Sequence, residues 1–211
     1  IIRSATASGK SLIITYIIKT LLENKSKTNV EKALIIVSGK QLMEQFVGDF
    51  KEYELKGYSI GRVYADSKEW DKDIVVSTWQ TLSKNKRMLE DFGCIVVDEC
   101  HGVKAYNLKN IMKNSTNARY RLGFTGTLHS SELDNWNVKS YTGPILREYT
   151  SGFLAEKGYI SKCSVNMLNI EYQREEWEGS YNDIKDEIFT NEYRVDLVTK
   201  LSEKLDHNVL I

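Results

Sequence analysis

No charge of either sign is in excess in this chain: Lys and Arg together number 29, as do Asp and Glu. A net charge of zero gives no bulk attraction to nucleic acid or to a membrane surface, so any such binding must come from a local patch. Cysteine is scarce, with only Cys94, Cys100 and Cys163, and no two of them form a CxxC pair. An odd count without such pairs suggests neither a disulfide framework nor a zinc knuckle, and a reducing cytoplasm is the compartment that fits. The chain opens without a signal-peptide pattern. Its longest apolar region, near Leu12–Leu22, is too short and too interrupted to span a bilayer. Proline occurs once, at Pro144. Internal repeats and low-complexity tracts are absent. What remains, 41% hydrophobic and 27% charged over 211 residues, is an ordinary globular composition with enough chain for one sizeable core.

Short β-branched runs alternate with helical spacing. "ALIIV" (33–37), "DIVVS" (73–77), "CIVVD" (94–98) and the weaker "RLGFT" (121–125) read as strands. Ile13, Ile14, Ile17, Ile18, Leu21 and Leu22 keep a 3.6-residue period, as do Leu42, Phe46 and Phe50. This alternation predicts an α/β domain with a mostly parallel sheet, whose ligands gather at the carboxyl ends of the strands. After Gly143–Pro144 the pattern changes. "CSVNMLNIEY" (163–172) reads as an extended strand, 171–187 as polar and exposed, and Val195, Val198, Leu201 and Leu205 as one helix face. "HSSELDNWN" (129–137) reads as a solvated loop. The chain starts at Ile1 within a strand-like run and stops at the apolar "NVLI" (208–211), so we expect a piece of a longer protein, cut at both ends.

Two stretches carry chemistry. In "SATASGKSL" (4–12), small residues precede Gly9-Lys10-Ser11 and a helix follows. A phosphate loop needs this order: backbone N–H groups of Thr6, Ala7, Ser8 and Gly9 converging on phosphate oxygens, a lysine for the β/γ-phosphates, a hydroxyl on Ser11 for Mg²⁺, and a helix N-terminus facing the anion. Ser4 stands where the first glycine usually does. In "CIVVDECHGV" (94–103) an apolar strand delivers two carboxylates to its carboxyl end. Phosphoryl transfer needs one carboxylate on the metal and one orienting the attacking water. Asp98 suits the metal and Glu99 the water. Cys100 and His101 have no neighbouring cysteine or histidine with which to form a metal site.

With both stretches in this order, the chain resembles the superfamily 2 DEAD/DEAH-like helicases. "SATASGKS" is similar to their motif I, "DECH" to motif II and "GFTGT" (123–127) to motif III. "VSGKQLMEQF" (37–46) is similar to motif Ia, with Ser38-Gly39 in place of the usual Pro-Thr, and "VVSTWQTL" (75–82) to motif Ib. Within the superfamily the combination looks most like the phage UvsW-type DNA helicases. The resemblance implies a RecA-like P-loop domain over residues 1–150, a closing strand and helical connection over 151–206, and the start of a second RecA-like domain at 207–211. It implies ATP and Mg²⁺ as cofactors, with His101 beside the nucleotide and Thr125, Gly126 and Thr127 coupling that site to the nucleic-acid track. The partner it implies is DNA that is branched, forked or single-stranded; no membrane is involved, and the setting is a bacterial or phage-infected cytoplasm. Candidate DNA contacts are Ser38, Gly39, Lys40, Thr78 and Trp79. For Trp79, stacking on a base and packing beneath the loop both remain open.

The function this implies is an ATP-driven DNA helicase or translocase in recombination, repair or replication. A motor subunit of a restriction endonuclease shares the motifs and is the alternative. A small-molecule kinase needs neither "DECH" nor "GFTGT", and the intact Lys10, Asp98 and Glu99 speak against a DNA-binding protein without hydrolysis. The resemblance puts the arginine fingers beyond Ile211 and the adenine-reading segment before Ile1. Residues 1–211 alone are therefore expected to bind Mg-ATP weakly, hydrolyse it barely and unwind no duplex.

Overall fold

The computed structural model describes residues 1–5, 8–53, 57–65, 67–103, 105–128, 131–162, 167 and 180–204. Contacts divide the chain into two compact units, Ile1–Cys163 and Ser164–Ile211.

The first unit follows the alternating pattern. β1 (Ile2–Ser4) leads to α1 (Lys10–Glu23) and the short α2 (Lys25–Thr28); β2 (Ala33–Val37) leads to α3 (Lys40–Glu52). Then come β3 (Ile60–Tyr64), β4 (Ser67–Lys68), β5 (Ile74–Thr78) and α4 (Trp79–Lys84). After a 3₁₀ turn at Lys86–Asp91 follow β6 (Cys94–Val97), a second 3₁₀ turn at Cys100–Gly102, α5 (Ala105–Asn114) and β7 (Tyr120–Thr125). α6 (Glu132–Thr142), β8 (Arg147–Tyr149) and α7 (Ser151–Glu156) complete it. The eight strands form one sheet in the order β4-β3-β5-β2-β6-β7-β1-β8. Every neighbouring pair is parallel except β3 with β4.

The strand runs are apolar without alternation because both faces of the sheet are covered. All five residues of β2 are buried, as are those of β5. Leu34 and Ile36 join Val75, Ile95, Val97, Leu108 and Ile111 in a core on one face. Ala33, Ile35 and Val37 join Ile14, Ile18, Phe46, Phe50, Val76 and Phe124 in a core on the other. The period of two along a strand thus serves two helix layers at once.

The second unit has two described helices, α8 (Tyr181–Thr190) and α9 (Glu192–Ser202). Ser180 caps α8 in a reciprocal capping box with Asp183. The face expected from Val195, Val198 and Leu201 is present on α9, and these three are partly exposed. Leu205 lies outside the described residues, as does "CSVNMLNIEY" apart from Met167.

One expectation is corrected. Of the stretch read as a loop, residues 132–137 begin α6, with the Ser131 hydroxyl accepting from the Asp134 amide at 3.4 Å. Leu133 and Trp136 on it are exposed. The stretch lacked an apolar stripe in its first turn, and its helix signal was the Ser131 cap, which polar surroundings disguised as loop composition. Among the described residues no helix is long and apolar enough to cross a membrane.

Candidate active site

Because β1, β2, β5, β6 and β7 run parallel, their carboxyl ends share one edge of the sheet, and every candidate residue with a described position lies on or just after one of these ends. β7 sits between β6 and β1. The strand of "GFTGT" therefore separates the acidic strand end from the phosphate loop and touches both.

The loop residues Thr6 and Ala7 lie outside the described residues. On either side of them, Ser4 is buried and its hydroxyl meets that of Ser8 at 2.6 Å. Gly9 caps α1 in a left-handed conformation, φ 78°, which favours glycine. No side chain caps this helix and no acidic residue stands in its first turn. Its N-terminal N–H groups therefore keep their capacity for an anion. The Ser11 hydroxyl is 3.3 Å from the hydroxyl of Tyr53, 42 residues away. Nothing in the sequence signalled that pairing, since only the packing of α3 beside α1 creates it.

Lys10 is the hub. Its Nζ donates to the carbonyls of Ser4 and Ala5, both at 3.3 Å, and lies 3.5 Å from Glu99 Oε1. Glu99 reaches it from a strained position. Its φ of 44° is left-handed, rare for a residue with a side chain, and costs about 1–3 kcal/mol. The turn sends the carboxylate across the end of β7. There Oε2 accepts from the Gly126 amide at 3.4 Å and lies 3.5 Å from the Thr125 hydroxyl and 3.3 Å from His101 Nδ1. Thr125 is buried, 2.6 Å from the same His101 nitrogen, accepts from the Thr127 amide at 3.2 Å, and reaches the Thr127 carbonyl. One carboxylate thus joins the three segments. The close approach behind this requires Gly123, where an added Cβ would meet Cys100 Sγ and Thr142 Oγ1, each at 3.0 Å.

Asp98 differs from its neighbour. It is 7% exposed, its amide donates to the Ile36 carbonyl at 2.9 Å, and its Oδ1 is buried without a hydrogen-bond partner. Burial, and then the charge of Glu99, push its carboxyl up to about 6. A buried carboxylate oxygen with no donor is the chemistry a divalent cation completes, so the residues present fit Mg²⁺. Burial pushes the Cys100 thiol up to about 12, consistent with packing rather than ligation.

The remaining candidates lie along the same edge. Ser38 and Lys40 are exposed, and Gly39 precedes α3, whose N-terminus also has no side-chain cap. Lys40 Nζ lies 5.9 Å from the centre of the Tyr64 ring. Thr78 is 1% exposed and its hydroxyl pairs with that of Thr81 at 3.0 Å. Trp79 is half-buried and packs against the core of its face, so of its two readings the packing one describes its surroundings here.

Comparison with known proteins gives a consistent picture. The family model described as "Type III restriction enzyme, res subunit" matches residues 1–130. The chain is similar to the ATP-dependent DNA helicase uvsW of Enterobacteria phage T4, at 29% identity over 182 residues, covering 83% of this chain and 36% of that protein. It is also similar to the endonuclease subunit of the type I restriction enzyme SsaAORF53P of Staphylococcus saprophyticus, at 23% identity, covering 92% of this chain and 23% of that one. Among solved structures, the crystal structure of the UvsW helicase from bacteriophage T4 superposes with a TM-score of 0.61 at 27% identity, covering 70% of this chain and 53% of that chain. The sheet is the RecA-like helicase fold that the motifs led us to expect. The chain spans only 36% and 23% of the lengths of these two sequence relatives.

Proposed function

Because the chain belongs to the family of the type III restriction enzyme res subunit, we propose that its first unit is the nucleotide-binding lobe of an ATP-driven DNA helicase or translocase. The observation that carries the reading is the convergence of Lys10, His101, Thr125 and Gly126 on Glu99, next to the unpartnered Oδ1 of Asp98. Lys10 is satisfied by two carbonyls and Glu99. The β- and γ-phosphates replace these partners, with the free N–H groups of α1 as further donors. Asp98 and Ser11 would hold Mg²⁺, which would offset the negative charge that develops on the phosphates. Released from Lys10, the Glu99 carboxylate accepts a hydrogen bond from the attacking water and orients it. His101, Thr125, Gly126 and Thr127 then register whether Glu99 is engaged with Lys10 or with water.

On the same edge, Ser38, Gly39 and Lys40 are the DNA contacts. A hydroxyl, backbone N–H groups and a cation grip phosphates without reading sequence. A second RecA-like domain of the same chain supplies the arginine on the far side of the γ-phosphate, and the substrate is branched, forked or single-stranded DNA. The motor subunit of a restriction endonuclease is the second reading, favoured by the restriction relative that covers 92% of the chain. Cleavage of DNA by the intact protein decides between the two.

The test of the site is Glu99→Gln in the intact protein. Asp98 and the shape are kept while the water-orienting carboxylate is lost. Nucleotide affinity should survive and turnover should fall about 10²–10⁴-fold, leaving the protein held on ATP and DNA. A variant that no longer binds nucleotide would assign Glu99 a different role.

A further inference from the structure

α1 and α3 meet along an apolar seam. Ile14, Ile18 and Leu22 of α1 share a buried cluster with Phe46, Val47 and Phe50 of α3. The Phe46 and Phe50 rings stand 6.0 Å apart, centre to centre. Ser11 precedes Ile14 by three residues and Tyr53 follows Phe50 by three, so each continues the buried face of its own helix. The seam ends in a polar contact between these two, with their hydroxyl oxygens 3.3 Å apart.

Both sides of the contact are anchored. The Tyr53 amide donates to the Asp49 carbonyl at 2.8 Å, so α3 keeps its helical phase up to Tyr53. The Ser11 carbonyl accepts from the Thr15 hydroxyl at 2.8 Å, and Thr15 is buried. Tyr53 is half-buried, and a tyrosine ring turns about only two torsions, so its hydroxyl is placed at little cost in freedom. Among the described residues the Ser11 hydroxyl meets no other side chain.

A serine hydroxyl has one proton and two lone pairs. To serve a divalent cation it turns a lone pair toward the metal, and its proton then needs an acceptor on another side. A phenol oxygen is such an acceptor, and the bond polarises the serine oxygen in the direction that favours the cation. Asp98 brings a full charge to the metal, whereas Ser11 brings only a lone pair, so its contribution depends on where its proton points.

We propose that Tyr53 is a positioning residue for the metal end of the nucleotide site, accepting the Ser11 proton and turning the serine's lone pairs toward the cation. The inference rests on the reading above that Ser11 and Asp98 hold Mg²⁺. Tyr53 acts only through Ser11 and touches neither nucleotide nor metal.

The experiment measures the ATP affinity of the intact protein with Mg²⁺ and with EDTA, in wild type, Tyr53→Phe, Ser11→Ala and the double variant. The quantity read is the ratio of the two affinities, which a loss of packing does not move. Tyr53→Phe keeps the ring and removes only the hydroxyl. It should cut the Mg²⁺ advantage about two- to tenfold, the effect of one hydrogen bond, and leave affinity in EDTA unchanged. Ser11→Ala should cut the advantage at least as far, and Tyr53→Phe should add nothing in that background, because its target is gone. If Tyr53→Phe keeps the wild-type ratio while Ser11→Ala lowers it, the role of Tyr53 is overturned and Ser11 stands. Equal weakening with Mg²⁺ and with EDTA would make the contact packing alone, and additive losses in the double variant would make Tyr53 independent of Ser11; either overturns the proposal. An unchanged ratio in Ser11→Ala overturns the reading beneath it as well.

Discussion

At the ends of β6, β7 and β1 the polar side chains hold one another, whereas at the ends of β2 and β5 they either stand in water or serve the core. Lys10, Glu99, His101 and Thr125 form one bonded cluster, and Asp98 is buried beside it with an oxygen unpartnered. On the adjoining strands β2 and β5, Ser38 and Lys40 are exposed, and Thr78 is buried against Thr81. A small, highly charged ligand is gripped by groups already taken out of water and fixed in place, which is costly before the ligand arrives. A polymer's phosphates need only exposed donors at intervals. The strain at Glu99 and the orphaned oxygen of Asp98 belong to the first kind of site, and nothing of that kind occurs among the described residues at the ends of β2 and β5.

The largest effect that would test this contrast is at the hub. Lys10→Ala removes the cation from the cluster, and ATP turnover of the intact protein should fall at least about 10²–10³-fold, as for loss of a preorganised electrostatic group. Near-wild-type steady-state turnover would mean that the bonded cluster is scaffolding.

Trp79→Ala sharpens the other side. As a half-buried side chain packed on the core, its loss should cost about 3 kcal/mol in a denaturant titration, at the low end for a large aromatic. DNA-stimulated turnover that falls with stability unchanged would move Trp79 from the core to the DNA track.

Asp98 gives a pH dependence. The folded carboxyl titrates near 6 against 3.8 for the ordinary group, so the folded state holds its proton more tightly than the unfolded chain does. Its contribution to stability is therefore greatest below 3.8, falls as pH rises through 6, and is least above that. In metal-free buffer, Asp98→Asn should melt higher than wild type at pH 8, by about 2 kcal/mol, and the gain should shrink toward pH 5. An equal gain at both values would show that Asp98 is not buried as a carboxylate. Added Mg²⁺ should narrow the difference at pH 8 by stabilising wild type alone.

Smallest is Lys40→Ala. One exposed phosphate contact should lower the salt slope of DNA affinity by about one and leave the melting temperature unchanged. A variant with an unaltered slope would take Lys40 out of the DNA track.

Both motifs that carry the chemistry could be located without the fold, because a phosphate loop and an acidic strand end are local patterns: small residues before Gly-Lys-Ser, or four apolar residues before Asp-Glu. The strands of the central sheet were equally plain, since burial on both faces leaves unbroken apolar runs in β2, β5 and β6. The edge strands were not. β3 has every second residue buried, β4 has two residues, both exposed, and β8 has three exposed residues, so none gives a run long enough to register as a strand. Sequence position after a strand end carries no information about burial, so the interior place of Thr78 and the half-buried one of Trp79 could not be read from it.

The amino-acid sequence alone determined which residue types stand at the strand ends: a lysine behind a run of small residues, and two adjacent carboxylates behind an apolar strand. Only the tertiary structure decided that Glu99 is the carboxylate bonded to Lys10 while Asp98 is the one left without a partner, and that Tyr53 meets Ser11. The reason is physical: a local motif sets backbone geometry over a few residues, whereas a pairing between groups 42 or 89 positions apart (Tyr53 with Ser11, Glu99 with Lys10) exists only once the strand order and helix packing have brought them together.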